Sequence, residues 1–285
     1  MTNQPGLAKA TTPGVVWIDR LKNVALDLLF PPHCAVCQRF GAWLCADCLG
    51  EIEAIEPPVC QYCGVPLDNG GRAAVCGRCQ VSPVQLNGIR SYAIHSGPLR
   101  KAIHQFKYED LRALAGLLGQ LMADGWRVLA PPGLVLDTIV PVPLHRMRER
   151  QRGFNQAALL ARELGACLHI PVVEDAIVRS RATAPQVDLN AKERLANVRD
   201  AFECKGRDLA GKRVLLVDDV CTSGATLESA CLALRGVGVT SVWACTLTRA
   251  RPDPGELRLA EDQRNHYIRR VENGTDYQGE KRRDH

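Results

Sequence analysis

The residues best suited to chemistry lie in one run, Val214-Leu215-Leu216-Val217-Asp218-Asp219-Val220-Cys221-Thr222-Ser223-Gly224-Ala225-Thr226. Four apolar residues predict a strand buried on both faces. Two carboxylates follow, then a turn of small and hydroxyl residues. Beyond it, Leu227, Ala230, Cys231 and Leu234 keep the i, i+3, i+4, i+7 spacing of a helix face. A turn at the carboxyl end of a parallel strand is where open α/β sheets bind ligands. The N–H groups and dipole of the following helix favour an anion there, and Ser, Thr and Gly let the main chain approach a phosphate. Asp218 and Asp219 repel that phosphate but suit sugar hydroxyls or a hard cation. The run therefore fits a ligand with a phosphate at one end and a diol or Mg²⁺ at the other. A plain helix-capping turn would use the same residue types. Gly206 to Lys212 has P-loop spacing, but Arg213 replaces the Ser/Thr and the run precedes the strand, so it reads as a turn.

A second set of chemically able residues is the cysteines. Of 13 in the chain, eight fall between positions 34 and 79, as Cys34-x₂-Cys37-x₇-Cys45-x₂-Cys48 and Cys60-x₂-Cys63-x₁₂-Cys76-x₂-Cys79. Each CxxC puts two thiolates on one tight turn, and two such pairs complete a tetrahedral S₄ site. Four pairs imply up to two Zn²⁺, with pairing within or between the sets left open. An iron–sulfur cluster also uses four cysteines. The expected role is structural, because so short and loop-rich a segment needs a metal staple.

Arginines form a third set. Arg146, Arg148, Arg150 and Arg152 lie within seven residues and have no acidic counterpart run. That density is wrong for a buried helix, and fork-shaped guanidinium groups suit phosphate and pyrophosphate.

The elements that must position these groups can be traced along the chain. Residues 1–14 are polar and lack an apolar targeting core. Leu21, Val24, Ala25 and Leu28 predict a short amphipathic helix. Ile89 to Ile94 predicts a strand. Leu99, Ala102, Ile103 and Phe106 mark one helix face, and Leu111, Leu114, Ala115 and Leu118 another. Lys107 lies between them and could serve the site, but reads first as a solvated side chain. Asp137 to Pro143 predicts a buried strand entering a proline turn, and Asn155 to Leu164 a helix capped by Gly165. Val239 to Leu247 predicts the last strand. The 285 residues suffice for a sizeable core, 46% hydrophobic content is that of a globular protein, and net charge +5 is mild. With no apolar run of about 18 residues, no transmembrane span is expected. The expected location is cytoplasmic.

The strand, acid pair and hydroxyl-rich turn at 214–226 resemble the binding signature of type I phosphoribosyltransferases. That resemblance implies an α/β fold, a parallel sheet flanked by helices; the cysteine pairs, the second set of which resembles a zinc ribbon, place a small Cys₄ zinc-ribbon module ahead of it. It implies that Thr222, Ser223, Gly224, Ala225 and Thr226 hold the 5-phosphate of phosphoribosyl pyrophosphate (PRPP). Asp218 and Asp219 would be the catalytic acids that hold the ribose hydroxyls, with Arg150 and Arg152 on the pyrophosphate side and Mg²⁺ accompanying PRPP. Residues 179–197 resemble the mobile loop that closes over pyrophosphate in this fold. The motifs Arg-x-Arg-Gly-Phe-Asn-Gln at 150–156, Arg-x-Thr-x-x-Gln at 181–186 and Arg194-x-x-Asn197, together with the Cys-rich start, resemble the ComF family, known for competence-associated members. Cys221-Thr222-Ser223 departs from the Thr-Thr-Gly-like chemistry of many members.

These resemblances imply a glycosyltransferase that displaces pyrophosphate at the ribose anomeric carbon, linked to DNA uptake. Their alternative is a non-catalytic PRPP sensor or adaptor whose zinc module docks a protein partner or single-stranded DNA. Direct strand binding is weakly supported, because aromatic platforms are scarce: aromatics make up 5%, with Phe40, Trp43 and Tyr62 in the Cys-rich stretch. The expected division is 1–29 disordered with a short helix, 30–85 a double zinc-ribbon-like module, 86–249 a phosphoribosyltransferase-like domain, and 250–285 a charged, disordered tail.

Overall fold

A computed structural model describes residues 32–67, 74–180, 201–205 and 207–251. The helix expected at 16–29, the motifs at 181–186 and 194–197, and the tail beyond 251 lie outside the described residues.

The chain divides between Gly50 and Glu51 into two compact units. In the smaller, a turn at Cys34–Cys37 and the helix α1 (Ala46–Gly50) bring four cysteines together. Cys34 N–H donates to Arg39 O (2.8 Å), and Arg39 pairs with Asp47 across the surface.

The larger unit opens with the second cysteine turn and α2 (Gly77–Val81). The chain then forms β1 (Gly88–Ile94), α3 (Gly97–Tyr108), α4 (Leu114–Leu129), β2 (Thr138–Pro141), α5 (Arg146–Arg152) and α6 (Gln156–Leu168). A hairpin of β3 (Ile177–Arg179) and β4 (Phe202–Cys204) precedes β5 (Arg213–Cys221), α7 (Ala225–Arg235) and β6 (Ser241–Arg249). Four strands make one parallel sheet in the order β1-β6-β5-β2. One face carries α4 and α6; the other carries α7 and the hairpin. Both faces are covered, and so Val214, Leu215, Leu216 and Val217 are all fully buried.

Periodicity located most elements, with three instructive differences. Strand β5 does not stop before the acids; it pairs with β6 as far as Cys221↔Arg249. Helix α4 starts at Leu114, leaving Leu111 outside it, and runs on to Leu129. Helix α6 passes through Gly165 and is capped by His169 in the left-handed region (φ 56°). Gly165 is required for a different reason. A Cβ there would lie 2.6 Å from Val172 Cγ2, so the glycine permits close helix–strand packing.

The second cysteine set is part of this domain's core. Cys60, Cys63, Cys76 and Cys79 cluster with Ile89, Leu216, Leu227, Ala230, Cys231 and Leu234. Ile89 N–H donates to Tyr62 O (2.7 Å). Gly64, at φ 72°, permits the approach, since a Cβ there would meet Ile89 O at 2.2 Å.

Candidate functional site: an acid-lined cleft and two Cys₄ clusters

Each cysteine set closes on itself. The ligand atoms of Cys34, Cys37, Cys45 and Cys48 all lie within 4.8 Å of one another, as do those of Cys60, Cys63, Cys76 and Cys79. The open question of pairing is thereby resolved: the sets are not interleaved. The Sγ–Sγ distances Cys37–Cys45 and Cys63–Cys76 are both 3.6 Å. A zinc ion with four Zn–S bonds of about 2.3 Å demands tetrahedral edges of about 3.8 Å, whereas a disulfide needs about 2.05 Å. Sulfurs this close leave room for one ion and none for a multi-iron cluster. Backbone N–H groups of Cys45 and Cys76 point at Cys34 Sγ (3.5 Å) and Cys60 Sγ (3.4 Å), as thiolate ligands require. The donor sets fit zinc.

The second feature is a cleft of about 930 Å³ at the carboxyl end of the sheet. It exists because β2 ends early. The last β2–β5 pair is Pro141↔Val217, and Val142 N–H still donates to Val217 O (2.9 Å) before the chain turns away at Pro143. Strand β5 runs on paired with β6, and its next residues, Asp218 and Asp219, line the cleft.

Asp218, Asp219, Thr222, Thr226, Arg150 and Arg152 all line this cleft. Ser223, Gly224 and Ala225 are not in its lining and turn inward. Gly224 takes φ 86° to start α7, Ser223 Oγ accepts from Ala225 N–H (3.4 Å), and Ala225 is buried. Arginines 146–152 form an exposed helix, α5, ended by Gly153 at φ 75°. Arg152 reaches back from it. Its guanidinium lies 4.7 Å from the Tyr108 ring centre, donates to Tyr108 Oη (3.0 Å) and donates to Gln156 Oε1 (2.9 Å).

The acids differ in surroundings. Asp219 is buried and its Oδ2 lies 2.6 Å from Lys107 Nζ, while its N–H donates to Asp218 Oδ1 (2.8 Å). Burial, and then the neighbouring Asp219 charge, push the Asp218 carboxyl up to about 7. Half-buried Arg179 at the end of β3 is among the charges that oppose this rise; desolvation depresses its own guanidinium pKa. His95 Nδ1 sits 2.9 Å from Thr248 Oγ1, and burial followed by the Lys107 charge lowers its pKa.

Lys107 thus corrects the sequence expectation. Its side chain is 19% exposed and ion-paired, not solvated. Its partner lies 112 positions away, beyond any local pattern. Gln156 was visible inside the Arg-x-Arg-Gly-Phe-Asn-Gln run, but its role was not. It is 2% exposed, lines the cleft, and its buried Nε2 has no partner among the described residues. Arg179, the first residue of the stretch expected to close over pyrophosphate, instead ends β3 and lines the cleft; Tyr108 carried no sequence signal.

Comparison with known proteins agrees with both features. The double zinc ribbon domain matches residues 25–80, and the phosphoribosyl transferase domain matches residues 150–270. DNA utilization protein YhgH of Escherichia coli (strain K12) is 33% identical over 242 residues, which cover 84% of this chain and 99% of that protein. The chain belongs to the ComF family. Competence protein F of Haemophilus influenzae is 34% identical across 73% of this chain and 90% of its own. Competence protein ComFC of Bacillus subtilis (strain 168) is 29% identical across 73% and 84%. With the double zinc ribbon match, the two Cys₄ clusters are structural zinc sites. Among the described residues no helix is long and apolar enough to cross a membrane.

Proposed function

We propose that the cleft binds PRPP with Mg²⁺. The observation that carries this reading is the convergence of Asp218, Asp219, Thr222, Thr226, Arg150 and Arg152 on one cleft at the carboxyl end of a parallel sheet. In this reading the 5-phosphate sits at the start of α7, where Thr222 and Thr226 offer hydroxyls and Ser223 and Gly224 offer backbone N–H groups. Asp218 and Asp219 receive the ribose hydroxyls. Arg150 and Arg152 meet the pyrophosphate, with Arg152 already oriented by Tyr108 and Gln156 and the Gln156 Nε2 supplying one further donor. Mg²⁺ would be held by PRPP and the acid pair and would offset leaving-group charge.

The reaction is displacement at the anomeric carbon. The C1–O bond to pyrophosphate breaks, the electron pair leaves with pyrophosphate, and an acceptor nucleophile bonds to C1. The carboxylates of Asp218 and Asp219 stabilise the positive charge that develops on the sugar. The relatives' names tie them to competence and DNA utilization, and we place this chain in the same process, acting in the cytoplasm. The division is a double zinc-ribbon module over 30–85, whose second half is built into a phosphoribosyltransferase-like domain over 86–249.

Those names also favour a second reading, an adaptor or sensor that keeps the pocket without turnover. Isothermal titration of PRPP with Mg²⁺ tests the shared claim, with Asp218→Asn/Asp219→Asn as the control. Binding by wild type that the double variant loses supports the pocket. No heat at millimolar PRPP removes it. Pyrophosphate release with an acceptor then separates enzyme from adaptor, and an adaptor keeps its protein partner in a pull-down of the Asp218→Asn variant.

A further inference from the structure

The second zinc cluster grips the ligand-binding turn at three points. Arg78 lies between the ligands Cys76 and Cys79 and donates from Nη2 to the Ser223 carbonyl (3.0 Å). Arg249, 3% exposed, pairs in register with Cys221 at the end of β5 and donates to the carbonyl of the ligand Cys63. The chain leaving the cluster reaches α7, where Gln85 N–H donates to Glu228 Oε1 (3.2 Å) and Gln85 O accepts from Cys231 Sγ (3.6 Å). The turn, the strand entering it and the helix leaving it are therefore all tied to one metal-held segment.

The Arg78 contact has a directional consequence. In a trans peptide the C=O and N–H point in opposite directions. Anchoring the Ser223 carbonyl on Arg78 aims the Gly224 N–H away from the cluster. Ligation of Cys76 and Cys79 fixes the two ends of the turn that carries Arg78.

We infer that Arg78 is a positioning residue through which zinc in the Cys60–Cys79 cluster orders the 222–226 turn, so that zinc and the phosphoribosyl ligand bind with positive coupling. This rests on the proposed PRPP reading. The coupling must be reciprocal: whatever factor zinc adds to ligand affinity, the ligand adds to zinc affinity at this cluster. The Cys34–Cys48 cluster serves as an internal reference.

The test uses the full chain loaded with zinc. Replacing Arg78 with Met removes the charged hydrogen bond to Ser223, and the expected result is PRPP·Mg²⁺ binding about tenfold weaker, or ~1.4 kcal/mol, with both zinc ions retained. Arg78→Lys restores part of it. In wild type, competition with a zinc-buffering chelator, read from alkylation of each cysteine by peptide mass spectrometry, reports each cluster separately. Saturating PRPP·Mg²⁺ is expected to raise zinc affinity about tenfold or more at Cys60, Cys63, Cys76 and Cys79, leaving Cys34, Cys37, Cys45 and Cys48 unchanged. A wild type that does not bind PRPP overturns the ligand reading and this inference with it. A wild type that binds, with Arg78→Met binding equally well and PRPP without effect on zinc affinity, overturns this inference alone. If Arg78→Met loses its zinc, the wild-type competition decides.

Discussion

Replacing Asp218 with Asn should stabilise the folded protein while removing ligand binding, and the gain should depend on pH. Asp218 is held at the sheet's carboxyl end by burial and by the adjacent Asp219, and its carboxyl rises from 3.8 to about 7. The folded chain therefore keeps a proton there that the unfolded chain has already lost. Because the folded state binds more protons between pH 4 and 7, stability falls as pH rises through that window. At 1.36 kcal/mol per tenfold, the full penalty above pH 7 is about 4 kcal/mol. An amide escapes the charge penalty but fits the hydrogen-bonding site less well, so a gain of about 2–4 kcal/mol is expected. For a domain of this size that corresponds to a rise in Tm of about 5–10 °C at pH 8. Urea unfolding of both proteins at pH 5 and pH 8 measures it. The stability difference should be large at pH 8 and shrink towards pH 5. A variant less stable than wild type at pH 8, or a difference independent of pH, would refute the reasoning.

Lys107→Met leaves the buried Asp219 charge without its partner and should cost about 2–4 kcal/mol by denaturant unfolding; Lys107→Met/Asp219→Asn should recover most of it. Gly119→Val forces a side chain onto Glu163, whose Cβ would lie 2.3 Å from the new Cβ, and should cost about 3 kcal/mol. Gly116→Ala meets nothing closer than 3.9 Å and should be neutral or gain about 0.5 kcal/mol, as thermal melts of the pair will show. Elemental analysis of protein purified without added metal should find two zinc ions per chain, and chelation should unfold it; iron in their place would contradict the site chemistry.

What the sequence disclosed was local. The acids and hydroxyl turn at 218–226 were legible because strand, turn and helix occupy one stretch and each imposes its own spacing. The metal sites were legible because CxxC spacing encodes a turn. Contacts between distant stretches were not. Lys107 was visible as a lysine between helices, but its ion pair depends on α3 ending opposite β5. The pattern Cys76-x₂-Cys79 specifies a knuckle and says nothing of Arg78 reaching Ser223, 145 positions on. Gly165 after an apolar helical run reads as a helix end because glycine serves there so often. The tight approach of Val172 gives it another purpose. The prolines at 141 and 143 marked the end of β2, but not that β5 would run past it and so open the cleft.

The most direct test of the binding account is a crystal structure of the protein with PRPP and Mg²⁺. The 5-phosphate is expected at the start of α7 between Thr222 and Thr226, the ribose hydroxyls on Asp218 and Asp219, and the pyrophosphate towards Arg150, Arg152 and Gln156. PRPP bound anywhere else, or a cleft without PRPP at millimolar concentration, would contradict it.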